Sequence, residues 1–470
     1  MLLILLAWCW LTICIVGSGA WAALALRRWS SSTSDHGVWS LYWMGLALLT
    51  VVLLAVHLVL PLNGPVALAL ALAAGAGCFF WPALRGAADA PADHQPPLPR
   101  WRLHLFIALS ALVVVAALAK SATWTWRGDY DTDLYHFTWI RWANEFPAVP
   151  GLANLHGRLG ITYAYLMLGA FVDQGWWNGR AAWVMPGYLL TAVFIHWLWF
   201  LLMERRTHRA VVVYVLLTLP YLLALLGRLK PSLYFDSMAH LLLLVAGLEI
   251  LRWTSRADRF PGDGLRRPLL LVALAYAVKP VAAAALALLG VRAVWLWLHT
   301  WYARTPALAV ARRAIMASLV LPALVGVVVL ARNAVSSGWL LYPVPALALP
   351  VDWAMPRRPL ADDHGYELQS AEGLFRVLKS WARRPGRDYA IAADQRLSEW
   401  WPVWAQANWH GLPKFLFMAG TAALGLAVLA GIRRKGGEGA VGLWSHPGLL
   451  VLIAGASLLF WFLTSTDLRY

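Results

Sequence analysis

Charged residues and cysteines are both scarce in this chain. Only 13 % of its 470 residues are charged, and its mean hydropathy is +0.61. A soluble protein of this length needs far more polar surface, so the composition excludes that class. The three cysteines, Cys9, Cys14 and Cys78, lie in apolar runs without the spacing of a zinc site or of an extracellular disulfide framework. The apolar residues come in runs of about 20, which is the length of a transmembrane helix.

Acidic residues are fewer than basic ones, 23 against 39, which gives a net charge of +16. In a soluble protein this excess would indicate a nucleic-acid partner. Here the basic residues lie in short loops between apolar runs, where they act as determinants of membrane topology. We therefore expect the lipid bilayer, and no nucleic acid, as a partner.

The fold class predicted from these runs is an all-α, polytopic transmembrane bundle of about 11–13 spans. One run, 268–278, is too short to cross a bilayer, and Lys279-Pro280 follows it. We expect 268–299 to form a broken hairpin whose short limb is buried by protein. The candidate spans are 1–26, 38–60, 65–82, 103–120, 181–203, 210–227, 236–253, 268–278, 281–299, 314–331, 414–432 and 446–465.

The basic clusters fix an orientation for these spans. With Arg27-Arg28 inside, every strong Lys/Arg cluster falls on the inner face, provided that 159–175 does not cross the membrane. We expect 159–175 to form a surface-lying or re-entrant helix. Two large loops, 121–180 and 332–413, then lie outside, and the second is predicted to carry an amphipathic helix around Gly373 to Arg384.

Three carboxylates, Asp129, Asp131 and Asp133, follow the apolar run 103–120 within five positions. Thr132 is predicted to be the N-cap of a helix, with Asp133 in its first turn. Ordinary solvated loop acids are the alternative interpretation, but three acids exceed what one cap requires. The functional interpretation is that one of these carboxylates deprotonates an acceptor hydroxyl. In addition, Asp131 and Asp133 are candidate ligands of a divalent cation, Mg or Mn.

Aromatic residues recur downstream at helical spacing, at Tyr135, Trp139, Trp142 and Phe146. This stripe predicts an interfacial helix that turns these side chains toward lipid or the helix bundle, and it is interpreted as an anchor.

Cationic residues in the outer regions are candidates to hold a phosphate group. His156 and Arg158 lie in the same loop as the acids, where a solvated turn is the alternative interpretation. Lys279 lies at the break of the intramembrane hairpin, where a charge is costly and often functional. Its alternative is a side chain that snorkels to the interface. Arg332 is a further candidate.

Several motifs together resemble a bacterial family of polytopic membrane proteins that is similar to the GT-C superfamily of integral membrane glycosyltransferases. The motifs are Tyr130–His136, Pro150–Leu159, Arg332-Asn333, Leu341-Tyr342-Pro343 and Trp381–Gly386. The resemblance implies an outer-face active site and a polyprenyl-phosphate-linked sugar donor. It implies a catalytic Asp in the loop 121–180, matched first by Asp131, then by Asp133 and Asp129.

The resemblance also extends to substrate-binding residues. It adds His136, Asn333 and Arg469 to His156, Arg158, Lys279 and Arg332 as candidates. The segment Asp467–Tyr470, which contains Arg469, is similar to a Pro-Asp-Pro-Arg-Phe element but lacks both prolines.

The predicted organisation is an N-terminal region of extra spans and an inner linker, 1–102, followed by a GT-C-like core, 103–470. The predicted function is a glycosyltransferase of the bacterial cytoplasmic membrane that acts on an extracytoplasmic acceptor. An O-antigen polymerase or ligase is an alternative, as is a lipid or solute transporter. The transporter is disfavoured because the predicted spans are nearly free of charge and no internal repeat is visible.

Overall fold

The computed structural model of the chain shows a helical protein. Regular structure among its described residues is helical throughout, and the one extended pairing there is an isolated bridge between Trp339 and Ala348. The described residues are 1–26, 37–81, 98–123, 129–204, 209–254, 264–302, 306–358, 369–380, 383, 394–408, 449 and 452–459.

Fourteen α-helices are named in the order in which they occur among these residues. The first seven are α1 (Leu2–Leu26), α2 (Val38–His57), α3 (Gly64–Ala76), α4 (Arg100–Ser121), α5 (Phe137–Glu145), α6 (Ala164–Val172) and α7 (Ala181–Leu202). The others are α8 (Arg209–Arg228), α9 (Asp236–Thr254), α10 (Arg266–Val278), α11 (Ala283–Tyr302), α12 (Pro306–Ser337), α13 (Ala371–Ser380) and α14 (Leu397–Asn408).

Seven helices in the described part of the chain are long and apolar enough to cross a bilayer. They coincide with seven of the twelve predicted spans, and their length and composition indicate a polytopic membrane protein. They are Leu2–Leu26, Val38–His57, Arg100–Ser121, Ala181–Leu202, Val211–Arg228, Pro280–Trp301 and Ala311–Ser337.

Three predicted spans form helices that fail this criterion. The helices α3 and α10 have only 13 residues each, and α9 carries Asp236, Glu249 and Arg252 within its 19 residues. The predicted span 414–432 lies outside the described residues, as does most of 446–465. The described residues thus contain seven candidate spans, and the total of about 11–13 for the whole chain stays a prediction.

The predicted break after 268–278 is confirmed. Helix α10 ends at Val278, and a 3-10 turn over Pro280–Ala282 precedes α11. The prediction for 159–175 offered a surface-lying or a re-entrant helix. Its helix, α6, buries all nine of its residues, so the surface-lying alternative is wrong and the re-entrant one stays a prediction. Ile161 to Val172 is almost uniformly apolar, which favours burial within protein over an interfacial position.

Contacts divide the described chain into two compact units. The first comprises Met1–Pro147, Ala164–Ala282 and Leu286–Gly326. Its helices α1 and α2 pack with their backbones in close contact, because a Cβ on Gly45 would lie 1.7 Å from the carbonyl oxygen of Ile15. Small residues permit such close packing between membrane helices. The division predicted at residue 102 stays a prediction, although α1 to α3 lie in the same unit as α6 to α10.

The second unit comprises Ala148–Tyr163, Ala283–Ala285 and Val327–Tyr470. Hydrogen bonds join its first segment to the end of α12 and to the loop that follows. Ser336 Oγ donates to the carbonyl of Gly160 at 2.7 Å, and Tyr342 Oη donates to that of Gly157 at 2.7 Å. The predicted amphipathic helix is confirmed as α13, in which Leu374 and Val377 are buried on one face.

Candidate functional site

The acidic segment begins a helix, but not at the predicted residue. The Asp133 amide donates to the carbonyl of Asp129 at 2.9 Å, so helical hydrogen bonding starts before Thr132. Thr132 is therefore not the N-cap, and the prediction that it caps the helix is wrong. A π-turn over Thr132–His136 follows and continues into α5. π-Turns are rare in proteins, and those that occur often lie at functional sites.

The carboxylate of Asp129 is held by two hydroxyl groups. Oδ2 of Asp129 accepts hydrogen bonds from Thr132 Oγ1 at 2.5 Å and from Ser232 Oγ at 2.7 Å. Thr132 Oγ1 in turn accepts from the Leu233 amide at 3.1 Å, and Ser232 Oγ accepts from the Tyr234 amide at 2.9 Å. Ser232 and Leu233 thus fix the acidic segment against the loop before α9.

The other two carboxylates keep access to the surface, Asp133 as an exposed residue and Asp131 as a half-buried one. One oxygen of Asp133, Oδ2, reaches back to the Asp129 amide at 3.2 Å. Residues i and i+2 on a helix do not share a face, whereas i and i+4 do. The backbone therefore pairs Asp133 with Asp129 and turns Asp131 away from both.

The sequence predicted that Asp131 and Asp133 share a metal ion. This geometry does not fit that prediction, because the two carboxylates lie on different faces of the helix. In the part of the chain that the structure describes, no group of three or more His, Cys, Asp or Glu side chains could hold a metal.

His136 lies in the protein interior. Its ring is 1 % exposed, with Nδ1 3.3 Å from Thr132 Oγ1 and its centroid 5.1 Å from that of Phe235. Through these contacts His136 packs the start of the acidic helix against Phe235. Its predicted role in substrate binding stays a prediction.

The aromatic stripe divides between two environments. Tyr135 and Trp139 are buried in the bundle, whereas Phe146 is 44 % exposed and packs against Trp142 with the two rings tilted and their centroids 5.1 Å apart. The stripe therefore anchors the helix to the bundle at its first two positions and not along its whole length.

Lys279 forms an ion pair with Asp236, the first residue of α9. Asp236 is 4 % exposed, so its charge is desolvated and needs this partner. Snorkelling alone does not account for Lys279, because its ammonium group contacts a protein carboxylate. The sequence analysis did not single out Asp236 or Ser232. One signal for the Asp236–Lys279 pair was available in the sequence. Asp236 begins one apolar run, and Lys279, 43 residues later, ends another.

The remaining cationic candidates belong to the second unit. The Arg158 amide donates to Nδ1 of His156 at 3.3 Å, which requires that nitrogen to be unprotonated. Burial, and secondarily the charge of Arg158, lowers the pKa of His156. Each effect favours the neutral imidazole, so His156 is a poor cation for a phosphate at neutral pH.

Arg332 and Asn333 are each 2 % exposed near the end of α12. Asn333 is engaged at both ends of its amide. Its Oδ1 accepts from Thr162 Oγ1 at 2.7 Å, and its Nδ2 donates to the carbonyls of Leu340 and Tyr342 at 3.3 and 3.2 Å. These bonds hold the loop after α12, which gives Asn333 a structural role that the sequence did not predict.

The structure brings Asp129 and His136 together through Thr132 and joins Asp133 to the Asp129 amide. It pairs Lys279 with Asp236 in the same unit. The other predicted residues, His156, Arg158, Arg332 and Asn333, belong to the second unit. Arg469 lies outside the described residues.

The whole chain, residues 1–470, matches the family described as Domain of unknown function (DUF8201). The chain belongs to this family. No curated protein matches the chain. No solved structure matches it either.

This DUF8201 member also contains a buried ionic network that the sequence analysis did not anticipate. Glu249, 4 % exposed, accepts from Arg267 at 2.9 Å and from Arg252 at 3.1 Å, and Arg252 also contacts Glu204 at 3.3 Å. The network joins the ends of α7 and α9 to the start of α10. The expectation that the predicted spans are nearly free of charge is therefore wrong for 236–253. Arg252, which the sequence analysis treated only as a determinant of topology, forms ion pairs with Glu249 and Glu204.

Proposed function

We propose that the chain is a glycosyltransferase of the bacterial cytoplasmic membrane. It moves a sugar from a polyprenyl-phosphate-linked donor to an extracytoplasmic acceptor, with Asp131 as general base. One observation carries this proposal: two hydroxyls fix Asp129 at the start of a helix, while Asp131 and Asp133 keep access to the surface. A rigid helix start that presents further carboxylates is suited to positioning a base.

The reaction follows from this assignment. The acceptor hydroxyl loses its proton to the carboxylate of Asp131, and its oxygen forms a bond to the anomeric carbon of the donor sugar. The bond from that carbon to the phosphate oxygen breaks, and the polyprenyl phosphate leaves as an anion. Asp129 acts as a positioning residue, because its carboxylate already accepts two hydrogen bonds.

The phosphate-binding roles of the cationic residues rest on their charge and on their predicted place in the outer regions. Lys279 is already neutralised by Asp236, which weakens it as a ligand of a leaving phosphate.

The test is product formation by the purified chain with a panel of radiolabelled polyprenyl-phosphate sugars. Asp131→Asn should lower turnover about 10²- to 10⁴-fold, the usual contribution of a general base, and keep the helical circular dichroism spectrum. Asp133→Asn is the matched control, because it removes a neighbouring exposed carboxylate and should retain most of the activity. Turnover by Asp131→Asn at the wild-type rate would sink the assignment.

A second candidate is a proton-coupled lipid or solute transporter. The buried network of Glu249, Arg252 and Arg267 favours it, since ionisable groups inside membrane bundles often form proton pathways. Uptake by proteoliposomes that depends on a pH gradient, yields no covalent product and fails in Glu249→Gln would support it over the transferase.

A further inference from the structure

Basic residues gather in the first unit where α8 ends and the chain turns into α9. Arg228 is the last residue of α8 and Lys230 follows it in the loop, and both are exposed. Lys120, near the end of α4, donates to the carbonyl of Gly227 at 3.2 Å, directly beside Arg228. In the orientation predicted from the sequence this end lies outside, where membrane proteins place few Lys and Arg residues. Topology therefore does not account for these three cations.

The three cations have no carboxylate to neutralise them. None of the ion pairs formed among the described residues includes any of the three. The buried carboxylate of Asp236 pairs with Lys279, and that pair is neutral as a whole. Asp129, which the same loop holds through Ser232, accepts its side-chain hydrogen bonds from hydroxyl groups. Positive charge is therefore in excess at this end of α8.

Tyr221 and His240 lie on the side of Arg228 that faces α9. Tyr221 is seven residues before Arg228, so the two residues share a face of α8, and the arginine side chain leans back toward the tyrosine. Tyr221 interacts electrostatically with both Arg228 and Asp236. Its Oη lies 3.4 Å from Nδ1 of His240, which follows Asp236 by one turn of α9. Arg228, Tyr221 and His240 thus lie close together between the two helices.

His240 can donate a hydrogen bond to a ligand at this place. Its Nε2 atom bonds to none of the described residues and is not one of their buried unpaired atoms, so it keeps access to the surface. When the hydroxyl of Tyr221 donates to Nδ1, the ring proton is on Nε2 and points away from the tyrosine. An anion that accepts from Nε2 can also accept charge-assisted hydrogen bonds from Arg228. We call Arg228, Lys230, His240 and Tyr221 the α8–α9 basic site.

We propose that the α8–α9 basic site binds a phosphomonoester. Arg228 and Lys230 supply two positive charges, which match the charge of about −1.5 to −2 that a phosphomonoester carries at pH 7. A phosphodiester carries a single negative charge and leaves one of these cations without a partner. Arg228 ends a candidate membrane span, so a lipid headgroup and a free phosphate ion can both reach the site.

Native mass spectrometry of the full chain in detergent tests the proposal. Phosphatidic acid, a lipid phosphomonoester, and phosphatidylglycerol, a lipid phosphodiester, are titrated separately. The wild type should bind phosphatidic acid more tightly, and Arg228→Gln should weaken that binding about tenfold, the loss expected for a charge-assisted contact. Arg180→Gln is the matched control and should bind like the wild type. Arg180 is likewise exposed beside a candidate span and in no ion pair among the described residues.

His240→Phe is a second, independent variant that keeps an aromatic ring and removes the Nε2 donor. It should also weaken binding of phosphatidic acid, by a smaller factor than Arg228→Gln because no full charge is lost. Equal binding of the two lipids by the wild type would overturn the proposal. So would phosphatidic acid affinity that is unchanged in both folded variants.

Inorganic phosphate distinguishes the two sources of the ligand. Displacement of phosphatidic acid by inorganic phosphate would identify the free ion as a ligand of the site, whereas retention of the lipid would identify the headgroup, and each result supports a phosphomonoester site. The proposal does not depend on the transferase reaction, because binding is measured without turnover. A wild type that binds phosphatidic acid but forms no glycosylated product would retain the site and refute only the transferase.

Discussion

The hydroxyl of Ser232 donates a 2.7 Å hydrogen bond to Oδ2 of Asp129, although 103 positions separate the two residues in the sequence. Ser232 is 4 % exposed, and its oxygen also accepts from the Tyr234 amide. The start of the acidic helix is therefore set by the loop before α9 as much as by its own residues.

Replacing Ser232 with alanine should lower the free energy of unfolding by about 1–2 kcal/mol, because the Tyr234 amide loses its acceptor and Asp129 loses a donor. Chemical denaturation in detergent measures this change. In a double-mutant cycle with Asp129→Asn, the two losses should fall short of additivity. Strictly additive losses would show that the two side chains do not interact in solution.

Lys279→Met should destabilise the protein by about 3–5 kcal/mol, because it leaves the buried carboxylate of Asp236 without its counter-charge. The double variant Asp236→Asn with Lys279→Met should recover most of this loss, since no buried charge remains. Thermal unfolding of the three proteins measures it. A double variant as unstable as the single one would show that Lys279 contributes more than neutralisation.

Asn333→Ala should destabilise the second unit by about 2–4 kcal/mol, because it leaves Thr162 Oγ1 and the carbonyls of Leu340 and Tyr342 with fewer partners in a buried place. Limited proteolysis of the loop after α12 reports on that unit. Asn178→Ala, at an exposed turn, is the matched control and should change neither stability nor cleavage. Unchanged cleavage in Asn333→Ala would contradict this structural role.

Protonation of His156 should lower the stability of the folded protein below about pH 6.5, which is the ordinary pKa of a histidine side chain. Burial and Arg158 lower the pKa of His156 in the folded state, so the unfolded chain takes up the proton first as the pH falls. Stability therefore rises with pH through the window between the folded pKa and that of the unfolded chain. Protonation would also break the bond from the Arg158 amide to Nδ1.

The measurement is the free energy of unfolding against pH for the wild type and His156→Asn, which keeps an acceptor but does not titrate. The variant should show a flatter profile in this window, and Arg158→Gln should reduce the wild-type dependence only in part. Identical slopes in the wild type and His156→Asn would assign the dependence to another group.

Long apolar runs were predictable because a bilayer fixes both the length and the composition of a spanning helix. The break at Lys279-Pro280 was predictable for an equally local reason, since proline cannot continue a helix. Burial of α6 and the short length of α3 were missed because hydropathy alone does not separate a span from a short buried helix.

The site was predicted less well, because its contacts link distant positions. Thr132 has the side chain of a good N-cap, but its hydroxyl instead bonds with Asp129 and the amide of Leu233, 101 residues away. The partner of Lys279 lies 43 residues earlier in the sequence. Local rules identify residues that can form such bonds, but tertiary packing decides which bonds form.

The π-turn at Thr132–His136 has an evolutionary consequence. Its Phe137 amide bonds to the carbonyl of Thr132, five residues back, so the turn holds one residue more than an α-helical turn. Because the turn accommodates this extra residue, a chain that lacks one residue here, such as Leu134, would form a regular helix without rotating Asp129 relative to Trp139. A family member can thus gain or lose one residue at this turn while the buried faces of Trp139 and Ile140 stay packed and the acidic start of the helix keeps its direction.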